Sequence, residues 1–168
     1  ANDSLLALVE AHPDSAPMPQ FLHEVVVQFK CLHVPTRLAA LNWVLVLHLK
    51  AAHRLTDHLD HLFLSLVLLL RDVSDEVVRL ALEALAKVAA SPDAFKRMMR
   101  CIVNLLADDA HLLETRAALI VKQLTLFICP LRMYHELAGI LEEEEDLPFA
   151  SVLVQTLNLI LMTAGGLR

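Results

Sequence analysis

The sequence predicts an all-α solenoid of about four helical hairpins, preceded by a partial N-terminal helix. Three observations lead there. A seed of the form Val78-Arg79-x-Ala81-x-x-Ala84-Leu85 recurs at intervals of roughly forty residues, the period of stacked hairpins that cannot bury their apolar faces alone. Thr36-Arg37-Leu38-Ala39-Ala40-Leu41 and Thr115-Arg116-Ala117-Ala118-Leu119-Ile120 are further copies, and Phe149-Ala150-Ser151-Val152-Leu153-Val154 is a degenerate one. The chain has only 3 Gly among 168 residues and is dominated by good helix formers. Its turn-forming residues fall between the apolar segments and not within them.

Each element follows from a start or stop signal. Leu5–Glu10 has the pattern of a helix tail, and Pro13, Pro17 and Pro19 separate it from a helix near Met18–Cys31. Pro35 and Thr36 open a second helix reaching about Lys50. Thr56-Asp57 can cap a third, Asp57–Leu70, and Asp72-Val73-Ser74 leads into a fourth, Asp75–Ala90. Ser91-Pro92-Asp93 combines a capping hydroxyl, a proline at the first helical position and an acid facing the helix dipole, so a fifth helix runs from there to Leu106. Asp108-Asp109 turns into a sixth, Leu112–Cys129. Pro130 precedes a seventh, Leu131–Glu144, and Asp146 with Pro148 begins the last, Leu147–Thr163. The hairpins then start near Met18, Leu55, Pro92 and Leu131. Residues 1–168 read as a single repeat segment, with the abrupt ends expected of a piece of a longer scaffold protein. The superhelix is expected to be right-handed.

The second helix of each hairpin reverses the usual amphipathic pattern. In Asp75–Ala90, Glu76, Arg79, Glu83 and Lys87 form one narrow polar stripe, and apolar residues fill the remainder. A surface helix ordinarily buries one stripe; this one exposes one, as a helix pressed from both sides by neighbouring repeats must. Arg116 and Gln123 mark a similar line on the sixth helix, and Ser151, Gln155 and Asn158 on the last. Stacked, these lines make a polar ridge along the inner wall. Arg79, Glu83, Lys87, Arg116, Gln123, Gln155 and Asn158 are therefore the candidate partner-binding residues. Asp75 and Arg79, four apart, also have the spacing of an exposed helical ion pair.

Composition narrows the function. A net charge of −6 argues against a nucleic-acid partner. Mean hydropathy of +0.54 is high, yet the longest apolar run, Leu62–Leu70, falls short of the about 20 residues of a membrane span. No direct membrane insertion is expected. The three isolated cysteines, Cys31, Cys101 and Cys129, read as buried thiols of a reducing compartment. The sequence has no Gly-rich phosphate loop, nucleophile elbow or His-Glu-x-x-His pattern, so neither an enzyme nor a cofactor is expected. Asp57-His58-Leu59-Asp60-His61 is the nearest approach to a metal site, but two histidines leave a zinc ion short of ligands. The acids at the helix start and solvated histidines account for it without metal. The run Glu142–Asp146 reads as a solvated turn whose later acids favour the last helix N-terminus.

The seeds, with Asp72 in the turn ahead of Val78-Arg79, are similar to HEAT repeats and so to the HEAT/armadillo-like superhelices. Several stretches resemble one family more closely. These are Thr36-Arg37 through Asn42-Trp43, Ser74 through Ala86, Leu113 through Arg116, Ile120 to Leu124, and Glu142 to Leu147. Phe149-Ala150 and Val154-Gln155-Thr156-Leu157-Asn158 through Leu161 complete the set. Together they resemble the vacuole morphology and inheritance protein 14 family, over about residues 36–163, although Ala117 stands where that family usually carries a glycine. The resemblance implies a non-catalytic scaffold for phosphatidylinositol 3,5-bisphosphate synthesis and turnover. Its implied partners are the lipid 5-kinase and the opposing Sac-type 5-phosphatase, with self-association of the parent protein. The implied location is cytoplasmic, peripheral on endosomal and vacuolar membranes. It further implies that the region for self-association lies C-terminal to these repeats and starts about where the sequence ends, at Arg168. A generic HEAT binding module, such as a transport receptor or phosphatase regulatory subunit, is the alternative.

Replacing His58 and His61 together by Ala should change stability by less than about 0.5 kcal/mol. Zinc should leave the melting temperature of the parent chain unchanged; a zinc-dependent rise that the double variant loses would contradict this reading.

Overall fold

A computed structural model describes residues 18–55, 58–143 and 145–163, the side chains of residues 53, 54, 59, 61 and 163 excepted. The expected Leu5–Glu10 helix, the Thr56-Asp57 cap and the His61 side chain lie outside the described residues. Every element within them is helical. The helices are α1 (Met18–Gln28), α2 (Val34–Leu55), α3 (Leu59–Leu68, continued by a 3-10 turn, Leu69–Arg71) and α4 (Asp75–Val88). They continue as α5 (Pro92–Asp108), α6 (Ala110–Phe127), α7 (Pro130–Glu142) and α8 (Leu147–Thr163).

The helices stack in two rows. The even helices pack in the order α2, α4, α6, α8, and the odd ones follow α1, α3, α5, α7. One apolar core runs between the rows. Val78, Leu82 and Leu85 of α4 lie in it, fully buried, with Phe95 and Ile102 of α5 and Ile120 of α6. Each such side chain contributes roughly 1.5–3 kcal/mol. The accessible surface is 9327 Å2, against about 8,300 Å2 for a compact globule of this mass, as an open stack requires.

Start signals act as the sequence implies. The Ser91 hydroxyl accepts from the Ala94 amide at 3.2 Å, with Pro92 opening α5. Asp109 caps α6 by accepting from Leu112 N at 3.0 Å, and Asp146 caps α8 by accepting from Phe149 N at 3.1 Å. The first segment of α2 ends at Lys50, as expected: Ala51 leaves helical geometry (φ −143, ψ 41), and a short second segment continues from this kink to Leu55.

Turn-to-helix contacts tie successive hairpins together. Arg37, near the start of α2, reaches Asp72 in the turn ahead of α4, with Nε 2.7 Å from Oδ2 and Nη2 donating to Oδ1 at 2.9 Å. Its Nη1 donates to the carbonyls of Cys31 and Leu32 at 2.7 and 3.0 Å. Asp72 Oδ1 also accepts from Ser74 N at 2.9 Å, which starts α4 in place of a Ser74 side-chain cap. Both side chains of the pair are only 8% exposed. One hairpin further on, Arg71 Nε donates to Asp109 Oδ2 at 3.1 Å.

Breaking a buried pair strands a charge, so Arg37→Ala should lower the unfolding free energy by about 3–5 kcal/mol. Arg71→Ala removes a half-exposed pair and should cost under about 1 kcal/mol. Urea denaturation of the two variants measures the contrast; equal losses would mean that burial does not set the strength of these links.

Candidate functional site

The polar stripe of α4 emerges as the sequence implies. Glu76, Arg79 and Lys87 are exposed and Glu83 is half-buried, whereas Val77, Ala81 and Ala84 beside them are fully buried. Glu83 accepts a contact from Lys87 Nζ at 2.7 Å. Arg79 makes no ion pair or side-chain hydrogen bond among the described residues, and Asp75 does not serve it. Asp75 instead meets Arg116 of α6, whose Nη1 lies 3.0 Å from its Oδ1 and whose Nη2 donates to the Val73 carbonyl at 3.3 Å. The expected Asp75–Arg79 helical pair is thus replaced by a contact between hairpins, because the neighbouring helix offers a better-placed guanidinium.

Stacking gathers part of the ridge into a groove of about 460 Å3 across α2, α4 and α6. Arg79 and Glu83 line it from α4, Gln123 from α6 and Asn42 from α2, with Glu76 also on its wall. Leu38, Leu80 and the half-exposed Phe127 supply its apolar surface. Lys87 is joined to this set through Glu83. Arg116 serves the turn ahead of α4, and Gln155 and Asn158 lie exposed on α8 outside the groove lining. Asn42 was missed from the sequence, although a signal for it exists. It is the first polar residue after the seed Arg37, as Glu83 is after Arg79.

Other candidates resolve plainly. No group of three or more potential metal ligands occurs among the described residues. The cysteines are not all core thiols, as the sequence reading had them. Cys129 is exposed at the start of α7, and Cys31 and Cys101 are half-buried. Burial pushes the Cys101 thiol up, whereas the His33 backbone amide and then the Thr36 hydroxyl hold that of Cys31 down. Among the described residues no helix is long and apolar enough to cross a membrane. In the acidic run, Glu143 approaches Lys96 at 3.9 Å and Asp146 caps α8.

A two-row helical stack of this kind is an α-solenoid of the HEAT/armadillo-like type. Known sequences carry the assignment further. A family model described as Vacuolar protein 14 C-terminal Fig4p binding matches residues 110–168. A VAC14 homolog of Arabidopsis thaliana is 43% identical over 132 residues, covering 79% of this chain and 18% of that protein. The VAC14 homolog of Schizosaccharomyces pombe is 40% identical over 134 residues, covering 79% and 16%. Vacuole morphology and inheritance protein 14 of Saccharomyces cerevisiae is 24% identical over 145 residues, covering 85% and 16%. The chain belongs to the VAC14 family, and it spans less than a fifth of the length of these relatives. No solved structure matches it. The Fig4p-binding match begins at residue 110, at the start of α6, so it already takes in the last three helices.

His48 of α2 gives the even row a pH response. Burial lowers its pKa first, and the Lys87 charge lowers it further. A base whose folded pKa lies below its unfolded value keeps its full stability above the unfolded value, near 6.5, and loses it as pH falls toward the folded one. The melting temperature should therefore drop between pH 7.5 and 5.5, and drop less in His48→Gln; an equal drop in both would remove His48 as its source.

Proposed function

We propose that this chain is a non-catalytic scaffold segment of the complex that controls phosphatidylinositol 3,5-bisphosphate synthesis and turnover on endosomal and vacuolar membranes. The observation that carries this reading is the Fig4p-binding match over α6–α8, on a stack whose even helices present polar side chains to solvent. Family resemblance supplies the partners: a lipid 5-kinase, a Sac-type 5-phosphatase and further copies of the parent protein. The chain works by holding surfaces in register, with Arg79, Glu83, Lys87, Gln123, Gln155 and Asn158 as its partner face and Arg116 holding the turn beside them. It attaches to membranes through its complex, without inserting.

An exchange in a living relative tests the proposal. Residues 36–163 replace the matching stretch of the Schizosaccharomyces pombe homolog, which is 40% identical. The exchanged protein should still co-precipitate the Sac-type phosphatase and the lipid kinase and keep vacuoles of normal size, whereas deletion of the stretch should lose both. An exchanged protein that folds and reaches normal levels yet recovers neither enzyme contradicts the scaffold reading.

A further inference from the structure

We infer that the groove across α2, α4 and α6 binds an extended peptide segment of a partner protein, with an acidic residue of that peptide seated on Arg79. The inference rests on the scaffold reading and specifies what one of its surfaces recognises.

The first support is the pair of free side-chain amides. Asn42 and Gln123 have no hydrogen-bond partner among the described residues, and they stand on the two outer helices of the groove. A carboxamide both donates and accepts, matching a peptide unit of a main chain that is not already paired in a helix or sheet. Neighbouring packed helices lie about 8–10 Å apart, so α2 to α6 spans about 16–20 Å. At about 3.3 Å per residue, that is five or six residues of extended chain.

The second support is the cation between them. Arg79, in the middle helix, is exposed and without an ion-pair partner, whereas Lys87 is already committed to Glu83. A guanidinium presents a planar fork matched to a carboxylate. Of the two carboxylates on the groove wall, Glu83 is held by Lys87, and Glu76, three residues before Arg79 on α4, forms no ion pair with it among the described residues.

The third support is apolar. Leu38 and Phe127 line the groove from the two outer helices. Side chains of an extended peptide alternate in direction, so residues two before and two after the acid point the same way as it does. These meet Leu38 and Phe127. The recognised pattern is therefore apolar-x-acidic-x-apolar, read across the helices.

The test is selection of a phage-displayed library of random twelve-residue peptides on the immobilised 168-residue chain, with binding of the enriched peptides then followed by fluorescence anisotropy. Arg79→Glu, Asn42→Ala and Gln123→Ala are first checked for an unchanged helical circular dichroism spectrum. Enrichment of the stated pattern is expected, with binding weakened at least tenfold by Arg79→Glu and several-fold by each amide variant. Exchanging the peptide's acid for Lys should restore binding to Arg79→Glu, a rescue that general disturbance of the fold would not give. Failure to enrich any peptide, or enriched peptides that bind the three variants like the parent, would overturn the inference. Neither result bears on co-precipitation by the exchanged yeast protein, so the two proposals fail separately.

Discussion

The contact between Arg37 and Asp72 sets the geometry on which the rest of the stack depends. Burying two charges is costly, and it succeeds only where hydrogen bonds satisfy what their mutual attraction leaves over. Here the guanidinium meets two carboxylate oxygens and two turn carbonyls, and the carboxylate also receives the Ser74 amide. One ion pair thereby closes the turn before α2, starts α4 and fixes the two helices at one offset. Ridges of apolar side chains repeat along each helix, and a directional ion pair marks one offset among those repeats. Arg71 with Asp109 and Arg116 with Asp75 carry linkage into the next hairpin in more exposed form.

Register at the turns decides what the even helices show along their length. α4 is covered by α2 on one side, α6 on the other and the odd row behind. Only a strip one residue wide is left to solvent, and the sequence fills that strip with Glu76, Arg79, Glu83 and Lys87. Arg116 ties α6 to α4, and Asn42, Arg79 and Gln123 line one groove. A surface assembled this way draws its rigidity from the packed core behind it.

Much of this was legible in the sequence because it is local. Proline, serine and aspartate signals placed the helix starts, and the narrow polar stripe announced a helix covered from both sides. What was not legible joins residues far apart in the chain. The seed drew attention to Arg37 and the turn to Asp72, but no spacing rule connects a side chain to one 35 residues away. For the same reason Asp75 was assigned to Arg79 on its own helix, when a neighbouring helix supplied Arg116. Arg116 was read as a partner-binding residue of the exposed ridge, whereas its side chain is only 20% exposed and its guanidinium is taken up by Asp75 and the Val73 carbonyl at the turn. Cys129 was read as buried from its apolar neighbours, although the residue between Ile128 and Pro130 caps a helix and faces solvent. Asn42 was passed over because a single amide among leucines makes no stripe by itself.

The most direct test of this account is native-state hydrogen exchange on the chain carrying Arg37→Ala. If the pair sets the offset of α2 and α4, amide protection in both helices should fall together, and the Gln123 face of α6 should lose protection with them. Loss confined to the turn between α1 and α2, with α4 protected as in the parent chain, would show that core packing alone holds the register and would contradict the account.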